Sequence, residues 1–189
     1  MKNSEIINAS IIVSNIHLVF EGRGLSNKMQ AKIMLMRVGL DKKVAAFNEK
    51  IQEALKGVKP EGFDDMAREI EKMRQIEARH KAISEWNGEG KKPTEPTKEE
   101  LDEAKKIREE KLSDYEEKEK VVLEKYAEIR KQELDAECDF NLRKFTEEEY
   151  AEIISLIKSE GEYPYIVNGN TFTISRIEFL GIIAANLVA

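Results

Sequence analysis

Two histidines, one cysteine and several acidic clusters are the residues of this 189-residue chain whose types could do chemistry. His17, His80 and Cys138 lie far apart in sequence, at none of the spacings that bring zinc ligands or a nucleophile and its base together. Each reads as structural. Glu147-Glu148-Glu149 and Glu116-Glu117 could hold a cation or share a proton, but no convergent partner can be named for them. They read as solvated helix faces or as charge placed favourably at a helix N-terminus. Gly88-Glu89-Gly90-Lys91-Lys92-Pro93 has the look of a phosphate loop without its spacing, its Lys-Ser/Thr pair or a preceding strand. It reads as a turn, and Gly22-Arg23-Gly24 reads as a connector rather than an anion cradle. The expectation is a non-enzyme with no catalytic, cofactor or metal residues. Trp86, beside that turn, is the one candidate contact residue, set either to pack locally or to anchor a partner.

Composition points the same way. Charged residues make up 36% of the chain and aromatics 7%, the balance of long solvated helices, while 41% apolar content suffices for a core. A net charge of −6 makes nucleic acid an unfavourable partner for the chain as a whole. Arg23, Lys28, Lys32 and Arg37 could form a local basic patch, but their spacing also suits a solvent face, and they are assigned to solvent. A single cysteine fits intracellular synthesis without a disulfide framework. No stretch reads as a secretion signal or a membrane span.

The elements that must position these residues are mostly helical. Thr97 and Glu100 form a capping box that opens a segment free of Gly and Pro to about Lys144, roughly 70 Å if helical throughout. Its apolar positions (Leu101, Leu112, Tyr115, Val122, Tyr126, Ile129, Ala136, Phe140) share a seam with Lys105, Arg108, Glu119 and Glu133, so the seam reads as diluted. Intrahelical pairs such as Asp102/Lys106, Glu116/Lys120 and Asp139/Arg143 would add small increments. Upstream, Ser4 can cap a helix over 5–20. A second helix over 26–56 carries Met29, Ile33, Met36, Leu40, Val44, Phe47, Ile51 and Leu55 at steps of three and four. Gly39 inside it allows a neighbour to approach, and Met29, Met34 and Met36 read as core filling. Helix resumes over 64–86, and the loop 87–96 reverses the chain.

After Phe145 the texture changes. Thr146 and Glu149 cap a helix running to about Ser159 and stopped by Gly161. Asn168-Gly169 joins two short strands through a type I′ turn, and Ser175 with Glu178 caps a last apolar helix. The fold class expected is mainly α with a small β-hairpin: residues 1–56 feed both base and hairpin, 57–145 form a charged antiparallel helical hairpin, and 146–189 pack with the N-terminus. The hairpin is expected to project from a small α+β base in which both chain ends share one core.

One resemblance extends this reading. Asn8-Ala9, Ile12, Ile16, Leu25-Ser26, Lys28, Ala31-Lys32-Ile33, Leu40 and Phe47-Asn48-Glu49-Lys50 resemble the opening of small helical proteins encoded among tailed-bacteriophage structural genes. In those, a short helix precedes a Leu-[Pro/Ser]-x-Lys helix start and a long charged helix. The likeness covers roughly the first third and the general layout. This chain departs from it in length, and its 86–137 region looks like an added hairpin. The resemblance implies a non-enzymatic structural or assembly protein of a virion, such as a head-to-tail connector or tail component, assembled in the bacterial host cytoplasm. Its partners would be other virion or assembly proteins and further copies of itself, with no membrane and no cofactor. The alternative is a monomeric intracellular adaptor or inhibitor that presents an acidic helical hairpin to a host or phage protein.

Overall fold

A computed structural model describes residues 1–21, 24–157 and 161–189. Among these the chain is mainly helical, with six helices and one two-stranded antiparallel sheet: α1 (Asn3–Phe20), α2 (Asn27–Lys56), α3 (Phe63–Ser84), α4 (Lys98–Asp135), α5 (Glu147–Leu156), β1 (Glu162–Val167), β2 (Asn170–Ser175) and α6 (Arg176–Leu187). It divides into two compact units, Met1–Ile51 with Lys131–Ala189, and Gln52–Arg130.

In the first unit both chain ends do share one core, as their apolar periodicity requires. Ile6, Ile12 and Ile16 of α1, Met29, Ile33, Met36 and Leu40 of α2, Ile153 of α5, and Phe179, Ile183 and Leu187 of α6 are buried in a single cluster. The α1 cap differs from expectation. Ser4 lies inside the helix, and the Glu5 carboxylate accepts from the Lys2 N–H at 2.9 Å, because the first turn starts where Asn3 N–H donates to the Ala136 carbonyl. Ser26 caps α2 through Met29 N–H, at 3.3 Å. The Thr146/Glu149 and Ser175/Glu178 capping boxes are both formed. Asn168 and Gly169 turn the hairpin with φ of 51° and 78°, the paired positive angles of a type I′ turn. Tyr163 on β1 stacks on Phe179 of α6 at 5.8 Å.

The long charged helix stops short. It ends at Asp135, not near Lys144. From Leu134 to Arg143 apolar and polar residues alternate strictly, and the structure buries or half-buries Leu134, Ala136, Cys138, Phe140 and Leu142 while exposing the residues between. A period of two fits extended chain, not helix. The N-terminus fixes that conformation: Cys138 N–H donates to the Met1 carbonyl at 2.8 Å, and the Asn3 side chain donates to Glu133 O at 2.8 Å. Asp139 and Arg143 therefore cannot form a helical i,i+4 pair. The stretch ends at Phe145, fully buried, whose N–H donates to Leu187 O at 2.7 Å. Helix α5 ends at Leu156, and Ser159, given as its last residue, lies outside the described residues.

In the second unit α3 and α4 run antiparallel. Arg79 pairs with Glu100, Lys72 with Glu103, Arg108 with Glu77 and Lys111 with Glu69, so the α3 partners fall from Arg79 to Glu69 overall as the α4 partners rise from Glu100 to Lys111. The seam keeps Glu119, half-buried and accepting from the Tyr115 O–H at 2.6 Å, but is otherwise more apolar than its heptad reading. Ala104 and Ile107 occupy it with Tyr115 and Val122, against Phe63, Ile70, Met73 and Ile76. Lys105 is exposed, and Arg108 sits on the flank, where it reaches Glu77. Phe63, the first residue of α3, stacks on Tyr115 at 5.4 Å. The Thr97/Glu100 box opens α4, at 2.8 and 3.2 Å.

Candidate docking surface

The residues that could have formed a reactive site do not come together. His17 is half-buried in the first unit, His80 is exposed on α3 in the second, and Cys138 is half-buried in the extended stretch. Among the described residues no group of three or more His, Cys, Asp or Glu is placed to hold a metal ion. No described helix is long and apolar enough to cross a membrane. Gly22 and Arg23 of the connector, and with Arg23 one member of the basic patch, lie outside the described residues. Glu116 and Glu117 are exposed on α4.

Glu149 has a definite task. It is buried in the first turn of α5, where one carboxylate oxygen accepts from Thr146 N–H at 3.0 Å and from Lys32 Nζ at 2.5 Å. The Lys32 hydrogen bond, followed by the Thr146 amide, holds its carboxyl below the usual carboxylate range. Lys32 also donates to Lys144 O at 2.7 Å and lies 5.4 Å from the Phe145 ring centre. Lys32 is thus not on a solvent face: its ammonium is tied to the segment between the extended stretch and α5.

Beside Lys32, α2 leaves apolar side chains exposed. Met34, assigned to the core from sequence, is 46% exposed at the edge of the core, beside His17 and Phe20 of α1; Leu35 is 70% and Val38 48% exposed. Beside them a cleft of roughly 630 Å³ opens between α2 and the extended stretch. Leu35, Gly39, Phe140 and Leu142 line it, and Lys28 and Arg143 stand at its rim. The Phe140 ring sits over Gly39, 3.5 Å from where a β-carbon would be. Sequence patterning missed this cleft because its far wall was read as helix. The signal was present in the alternation of 134–143.

Trp86 lies just past α3 and packs locally. Its indole N–H donates to Glu89 O at 3.1 Å, and the Lys92 ammonium sits 5.8 Å from its ring centre. It keeps 38% of its surface exposed.

With this geometry in hand, comparison with protein-family models, curated proteins and solved structures finds no match.

Proposed function

We propose that this chain is a non-enzymatic structural or assembly protein of a tailed-phage particle, acting through helical contacts with other subunits and with further copies of itself. The observation that carries the reading is the exposed apolar face of α2 at Met34, Leu35 and Val38, which meets a cleft at Leu35. Contiguous exposed apolar surface marks interaction sites. The resemblance of the first third of the sequence to small phage structural proteins supplies the setting.

One observation favours the adaptor reading instead. The α3–α4 pair buries its own aromatic and aliphatic seam and carries its own cross-helix ion pairs, so it does not require neighbouring copies to complete it. Sedimentation velocity over a wide concentration range separates the two. A discrete higher oligomer is the expected result; a monomer at every concentration would overturn the assembly reading in favour of the adaptor.

A further inference from the structure

We infer that the cleft between α2 and the extended stretch is a docking groove for an extended acidic segment of a partner protein with apolar anchor residues. The inference rests on the assembly reading and names the chemistry of one partner.

Three features converge. The floor is apolar, formed by Leu35, Gly39, Phe140 and Leu142. The rim is basic, although the chain as a whole carries −6. Lys28, with an 82% exposed side chain, and Arg143 stand on opposite walls with Lys32 between, and among the described residues no carboxylate lines the cleft. Glu149, sunk in the first turn of α5, pairs with Lys32 and at 3.7 Å with Lys28, and Glu148 lies near Lys28, so the three cations outnumber the acidic groups beside them. A local reversal of sign against an acidic background selects an acidic ligand and steers its approach.

The third feature is the wall itself. Among the described residues the extended stretch pairs through the single bridges Lys2↔Glu137 and Phe145↔Val188 alone. Between them the N–H groups of Asn141, Leu142 and Arg143 donate to no main-chain carbonyl among the described residues. Extended main chain without a strand partner, beside an apolar trough, is what an incoming strand adds to. A ligand that alternates acidic and apolar residues would place its apolar side chains on the floor and its carboxylates toward Lys28 and Arg143.

Fluorescence anisotropy with the full chain tests this. The probe is a labelled peptide in which Asp and Glu alternate with Leu and Phe; the control replaces each acidic residue by Lys. The acidic peptide should bind, weaken as salt is raised, and lose about tenfold or more in affinity on Leu35→Asp or Arg143→Glu, while Trp86→Ala leaves it unchanged. Both groove variants alter exposed side chains, and an unchanged melting temperature would establish that they fold. No binding, equal binding of the lysine peptide, or folded variants that bind like the parent would each overturn the inference. Self-association abolished by Leu35→Asp would overturn it too, by assigning the face to a second copy. Peptide binding by a chain that stays monomeric would keep the groove and sink the assembly reading; an oligomer that ignores the peptide would do the reverse.

Discussion

The Lys32 ammonium lies 2.5 Å from Glu149 Oε2 and joins residues 117 positions apart, tying α2 to the first turn of α5. Glu149 serves there as both capping residue and counter-ion. Removing its charge as Glu149→Gln should cost about 2 kcal/mol, the scale of a lost charge-assisted hydrogen bond with part of a helix cap. Because the folded carboxyl titrates below its unfolded value, its stabilisation is complete above the ordinary carboxylate range and is lost as pH falls through the lowered value. Melting temperature measured down an acid series should fall less steeply in Glu149→Gln than in the parent. Glu148 and Glu178 are held low as well, so part of the slope should remain.

Asn15 acts as a clasp between α1 and the sheet. Buried, it accepts from Ile166 N–H at 2.7 Å and donates to Ile166 O at 2.9 Å, as a neighbouring strand would, and donates to Ile11 O at 2.8 Å. Asn15→Leu keeps the size but leaves both Ile166 main-chain groups unpaired. It should destabilise by about 2 to 3 kcal/mol. Hydrogen exchange at the Ile166 amide should accelerate more than exchange across the α5 cap; equal acceleration everywhere would mean that the clasp is not local.

The α2 seam is the test of core packing. Leu40 is fully buried and Met36 nearly so. Leu40→Ala should cost about 2 to 5 kcal/mol, and replacing Met36, Leu40 and Val44 together by Asp should abolish the thermal transition. Retention of a cooperative melt by the triple variant would refute the packing described for the first unit.

The second unit should respond differently to charge and to volume. Its cross-helix pairs are exposed, so Lys72→Ala should cost at most about 1 kcal/mol, and a charge swap at Glu116 and Lys120 should be close to neutral. Met73→Ala, deep in the α3–α4 seam, should cost about 2 kcal/mol or more. Chemical denaturation of the three variants gives the comparison, and it fails if the charge changes cost as much as Met73→Ala.

How far the sequence could be read follows from what each signal physically encodes. Caps and turns are local: Thr97/Glu100, Thr146/Glu149, Ser175/Glu178 and Asn168-Gly169 each need only residues within three positions, and all four formed as the sequence indicates. The α2 seam was equally plain, since six buried residues repeat at helical steps or at one turn beyond. What escaped was decided by distant partners. Helix α4 ends where the N-terminus captures the backbone of residues 136–138, Lys32 is drawn inward by Glu149, and Asn15 is buried because Ile166 offers it both main-chain groups. The candidate groove was hidden with the first of these, although the alternation from Leu134 to Arg143 carried it. Trp86, singled out for its type and place, donates to Glu89 O of its own loop and stays partly exposed.

Gly39 offers a last prediction whose sign distinguishes packing from propensity. Glycine in a helix interior costs about 1 kcal/mol relative to alanine, which suggests that a close neighbour demands it. The neighbour is the Phe140 ring, not a helix, and a β-carbon at Gly39 would meet it at 3.5 Å, ordinary contact. Gly39→Ala should therefore stabilise the chain by about 0.5 to 1 kcal/mol. Gly39→Leu has no such room and must displace Phe140, so it should destabilise by about 1 to 3 kcal/mol and perturb the cleft. Thermal melts of the two variants give opposite shifts if Phe140 is the only constraint; destabilisation by alanine as well would mean that the ring is held more tightly against α2 than a contact at that distance requires.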